Sequence, residues 1–106
     1  MATLIKKSLD APDEELDFGE AKAQRVRLGR TDVIRVVAAP GYRYYCDEDH
    51  RSWLVLSGRL RVRLDDGSEE EFGPGDVGVI PPGHDSWVVG DETLVGLDIQ
   101  PGESSA

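Results

Sequence analysis

The sequence predicts an all-β protein: one small sandwich or barrel of short strands, with little or no helix. Turn signals recur about every 8–12 residues, the spacing of strands in such folds; 12 glycines and 6 prolines supply them. The segment Arg59–Leu64 alternates strictly, with Leu60, Val62 and Leu64 to one side and Arg59, Arg61 and Arg63 to the other. A period of two marks a half-buried strand with its arginines on the wet face. No segment of the body carries apolar residues at helical spacing over a useful length.

Taken in order, the first 20 residues differ from the rest. Asp10, Asp13, Glu14, Glu15, Asp17 and Glu20 crowd around Pro12. Like charge and low hydrophobicity predict a solvated, partly ordered arm over residues 1–20, with one helical turn after Pro12. Leu4, Ile5, Leu16 and Phe18 are its candidate anchors. The barrel is expected over residues 21–100. Val26 and Leu28 alternate with Arg25 and Arg27; Asp32–Ala39 is β-branched and mostly apolar; Ser52–Leu56 is apolar on both faces. Asp66-Gly67 follows the alternating strand at once and closes a hairpin. Gly73-Pro74-Gly75-Asp76 turns before Val77–Ile80, Pro81-Pro82-Gly83 before His84–Val89, and Gly90-Asp91 before Thr93–Gln100. Residues 101–106 are small and polar, and a flexible tail is expected.

Composition narrows the function. The chain has 106 residues, 12 basic and 21 acidic, for a net charge of −9. That length is one domain with a core of its own. An acidic surface repels phosphate, so nucleic acid and anionic membrane are not expected partners. No apolar run approaches the ~20 residues that span a bilayer, and no apolar stretch follows Lys6 and Lys7 to make a secretory leader. Cys46 is the single cysteine, which excludes an internal disulfide and points to a reducing, cytoplasmic setting. With His50 and His84, the chain owns three thiol or imidazole groups in all.

From Gly41 to Gly90 the chain resembles the cupin family. Cupins carry two motifs separated by a hairpin. The first is a glycine, five residues, His-x-His, three or four residues, Glu, six residues and Gly; the second is Gly-Asp, five residues, Pro-x-Gly, two residues, His, three residues and Asn. Gly41 and Ser57-Gly58 frame the first motif here. Gly75-Asp76 and Pro81-Pro82-Gly83 frame the second, and Arg59–Phe72 is the hairpin between them. The stretch Pro81–Glu92 is also similar to small bacterial single-domain cupins. The resemblance implies a double-stranded β-helix, a jelly-roll barrel, over the body of the chain, and a tendency to form homodimers.

The same frame places the family's four metal-ligand positions on Tyr44, Cys46, Arg51 and Ser86. Arginine offers no lone pair, and neutral tyrosine and serine are weak ligands. The resemblance therefore implies the barrel without its usual metal, and no cofactor is expected. The exception would be a divalent transition metal on Cys46, His50 and His84, which needs a bulge or register change near Asp47–Asp49. Carried along the strands at period two, the frame points Tyr42, Tyr44, Cys46, Arg51, Trp53, His84 and Ser86 into the barrel as a ligand pocket, and His50 out of it. Each has a plainer reading: the tyrosines as barrel filling, Arg51 as a surface ion pair with Asp47, Asp49 or Asp98, Cys46 as a small buried hydrophobe, His84 as a hydrogen bond across the turn.

Three functions follow as expectations. The first is a metal-free pocket binding a small, anionic organic molecule through Arg51, in a binding, sensing or accessory module. The second is an enzyme, either a metal-dependent dioxygenase or isomerase, or a metal-free epimerase or cyclase with His84 as the candidate acid/base. The third is a structural homodimer joined through Tyr45, Leu54, Leu56 and Trp87 on the outer face.

Overall fold

The computed structural model describes residues 3–102, and the side chain of Arg51 lies outside the described residues. Ten strands follow in order: β1 (Glu14–Asp17), β2 (Ala21–Arg27), β3 (Thr31–Ala38), β4 (Arg43–Cys46), β5 (His50–Ser57), β6 (Arg59–Leu64), β7 (Glu69–Phe72), β8 (Val77–Ile80), β9 (His84–Val89) and β10 (Leu94–Pro101). All pairings are antiparallel. One sheet runs β1-β2-β3-β10-β5-β8 and the other β4-β9-β6-β7. No helix is assigned among the described residues, and none is long and apolar enough to cross a membrane. The two sheets close on a core that includes Trp53, Val55, Leu60, Val62, Phe72, Val88 and Leu94.

The alternating strand behaves as its pattern requires. Leu60 and Val62 of β6 are buried, while Arg59 and Arg63 are exposed. The wet arginines meet the acids of β7: Arg61 pairs with Glu69 at 2.9 Å and reaches Glu71 at 3.5 Å. Gly58 sits between β5 and β6 at φ 76°, and a Cβ there would lie 2.7 Å from the Thr93 carbonyl oxygen. Only glycine fits that approach, which holds the β5–β6 corner against the start of β10.

Two expectations about the ends change. Pro12 leads into strand β1, not a helical turn. The reason is charge: the acids of the arm find arginines on β2, with Glu14 3.0 Å from Arg27 and 3.5 Å from Arg25. Asp13 accepts from Lys7 at 2.7 Å and from the Arg27 backbone N–H at 2.8 Å. At the other end β10 runs through Pro101, and the Gly102 N–H donates to Arg30 at 2.7 Å; residues 103–106 lie outside the described residues. On the outer face, Trp87 is covered by the Arg43 guanidinium, 5.1 Å above its ring, and Arg43 is in turn held by Asp85. Leu56, Val77 and Val79 remain exposed on the wet side of β5 and β8.

Candidate functional site

A cavity of about 160 Å³ lies between the sheets. One end is aliphatic. Ala21 and Ala38 face each other across β2 and β3, Leu94 pairs with Ala38, and Leu60 pairs with Val88 across β6 and β9; all five line the cavity. Phe18, from the acidic arm, stands by the cavity 6.5 Å from the Tyr44 ring. By sequence Phe18 is only a candidate anchor, and its isolation between Asp17 and Gly19 carries no further signal.

The other end is polar, built where strands begin and finish. Cys46 ends β4, His84 begins β9, His50 begins β5 and Asp98 lies near the end of β10. Cys46 and His84 are direct partners across β4 and β9. Of the predicted pocket, Tyr42, Tyr44, Trp53, His84 and Ser86 line the cavity. Cys46 is buried at 7% exposure and sits opposite His84, without lining the cavity itself. Tyr44 is half exposed, and the Ser86 hydroxyl donates to the Tyr44 carbonyl at 3.3 Å. The Arg51 prediction falls on a side chain outside the described residues.

His50 overturns its expected placement: it lines the cavity instead of facing out. The cause is a bulge. Along β5, Trp53 pairs with Gly78 and His50 with Ile80, so three steps on β5 match two on β8. The extra residue breaks the alternation, and His50 and Trp53 share a face despite their odd separation. The imidazole then stacks edge-on to His84, with ring centroids 5.1 Å apart.

Both imidazoles have one nitrogen spoken for. His50 Nδ1 lies 2.7 Å from Asp98 Oδ2, and His84 Nδ1 lies 2.9 Å from the Pro81 carbonyl oxygen. A carbonyl oxygen and a carboxylate only accept, so each Nδ1 carries a proton, and in the neutral ring the lone pair sits on Nε2. Asp98 is 3% exposed; its Oδ2 also accepts from Gln100 Nε2 at 2.9 Å. Its Oδ1 has no hydrogen-bond partner among the described residues. Burial pushes the His84 pKa below its ordinary value, and the nearby His50 adds to this, against the opposing pull of the Pro81 carbonyl. The carboxylate inside the barrel was absent from the sequence reading, though Leu94, Gly96 and Asp98 alternate on one face of β10. An acid at an otherwise apolar inward position was the signal.

The metal common to the resembled family does not fit the four positions inherited from it, since Tyr44 and Ser86 bring weak donors. A set that keeps Cys46 and adds two nearby histidines does fit. Cys46, His50 and His84 each offer a donor atom, and the three lie within 4.8 Å of one another.

No family model matches the chain, and no curated protein matches it. Its structure is similar to solved ones. The polyketide cyclase RemF from Streptomyces resistomycificus superposes at TM-score 0.71 with 21% identity, over 98% of this chain and 83% of that one. A Cupin 2 conserved barrel domain protein from Salinispora arenicola gives 0.69 with 22% identity, over 93% and 88%. Oxalate decarboxylase from Lactobacillus farciminis gives 0.69 with 20% identity over 87% of this chain, which spans only 31% of that enzyme. These likenesses establish the cupin double-stranded β-helix as the fold.

Proposed function

We infer that this cupin-fold barrel binds a small organic molecule with an apolar body and one polar head. The carrying observation is the cavity itself: aliphatic and aromatic walls, with two imidazoles, His50 and His84, together at one end. Pockets of this make-up orient ligands by a few placed polar groups. An engineered cavity of about 150 Å³ holds benzene, so the occupant is about the size of one ring with its substituents. The head is assigned to His50 and His84, which replaces the expected reliance on Arg51.

The fold neighbours include a cyclase and a decarboxylase, so fold leaves the chemistry open and the cavity carries the reading. A second reading is favoured by the His50–Asp98 pair. A carboxylate that fixes an imidazole through Nδ1 leaves Nε2 free to take a proton, the arrangement of a general base. That makes His50, with Asp98 as its positioning residue, a stronger acid/base candidate than His84.

The test is native mass spectrometry of freshly purified protein, followed by calorimetry with small aromatic and aliphatic acids. Ala23→Leu, which fills the cavity wall, should abolish binding while thermal unfolding stays cooperative. Binding that survives in the filled variant contradicts the reading. Turnover lost in His50→Gln with ligand affinity retained would select the enzyme over the binding module.

A further inference from the structure

We propose that Cys46, His50 and His84 form a site for one divalent first-row metal ion, zinc by donor preference. Only Cys46 belongs to the four positions that the family frame marks as ligands; the two histidines come from a bulge on β5 and from the first residue of β9. The site is therefore argued from this chain's own geometry.

Four observations carry it. The donor atoms already lie within 4.8 Å of one another. Bonds of about 2.0–2.3 Å at tetrahedral angles hold donors roughly 3.4–3.6 Å apart, so side-chain rotations close the remaining ångström or so. Each imidazole is oriented by a partner on Nδ1, Asp98 for His50 and the Pro81 carbonyl for His84. Outer partners of this kind fix the tautomer that leaves Nε2 to ligate. The Cys46 sulfur accepts the Glu48 backbone N–H at 3.4 Å and donates its thiol proton to the Glu48 carbonyl at 3.7 Å, contacts that hold the sulfur in place beside His84. Finally, the set is soft enough for zinc or cobalt, with one thiolate and two imidazoles, and is ill-suited to calcium or magnesium. Three protein donors also leave a fourth coordination position to water or to the cavity's occupant, as in catalytic rather than structural zinc sites. Binding deprotonates the Cys46 thiol and releases that proton to solvent.

Chelator-stripped full-length protein is titrated with Co²⁺ and then with Zn²⁺. The expected result is one Co²⁺ per chain, a near-ultraviolet thiolate-to-cobalt charge-transfer band, visible bands of four-coordinate intensity, and loss of both when Zn²⁺ displaces cobalt. Cys46→Ser should remove the charge-transfer band. Asp98→Asn should weaken cobalt binding by about 10–100-fold. Glu48→Ala should leave the spectrum unchanged. X-ray absorption on the unmutated cobalt form gives an answer that needs no variant to fold: a shell of one sulfur and two imidazole nitrogens is expected. A shell without sulfur, an unchanged spectrum in Cys46→Ser, or no saturable binding overturns the site.

Discussion

The aliphatic and polar ends of the cavity are made by different rules. At the aliphatic end the pairings that carry the lining are regular: Ala21, Ala38, Leu60, Val88 and Leu94 face inward because alternation puts them there, and the irregularity beside Leu94 is confined to the β5–β10 seam. At the polar end one extra residue in β5 reverses the alternation and brings His50 inside. A regular strand lets the sequence name its inward residues. A bulge hides them, because it changes the face of every residue before it.

The comparison can be broken most sharply at the aliphatic end. Leu94 is 2% exposed, and Leu94→Ala should cost about 2–5 kcal/mol in chemical denaturation. It should leave the cobalt spectrum intact, because the polar end stands on other strand termini. A spectrum lost together with stability would show that the two ends are not independent.

At the polar end, Asp98→Asn should cost less, about 1–3 kcal/mol, since an amide oxygen still accepts from His50 or Gln100. Denaturation curves beside the cobalt titration would separate the two effects. Deleting Ser52 tests the bulge itself. Restoring strict alternation should turn His50 to solvent and reduce cobalt affinity as far as His50→Ala does; unchanged affinity would remove the bulge from the account. The smallest effect belongs to the outer face. Arg61→Ala breaks only exposed pairs with Glu69 and Glu71, and should shift stability by no more than about 0.5 kcal/mol.

The pattern of success follows the same division. Strict alternation in Arg59–Leu64, the Asp66-Gly67 turn and the Pro/Gly breaks made the barrel readable, because each acts locally. The positions of Tyr42, Tyr44, Trp53, His84 and Ser86 on the cavity wall follow from the alternation once the frame is set. His50 was not, since nothing in Asp47-Glu48-Asp49 says where a strand gains a residue. Strand β1 was hidden for a related reason: acids that repel one another in isolation pair with Arg25 and Arg27 from a neighbouring strand. The role of Asp98 could have been read from its inward position on β10, and the frame instead offered it to Arg51.

The central claim is that His50 and His84 meet inside the barrel, each donating its Nδ1 proton to a neighbouring oxygen. Nitrogen-15 NMR of the imidazoles in the metal-free protein reads this directly. The account predicts a proton on Nδ1 of both rings and a through-space contact between them. A neutral His50 with its proton on Nε2 rather than Nδ1, or no contact between the rings, would contradict it.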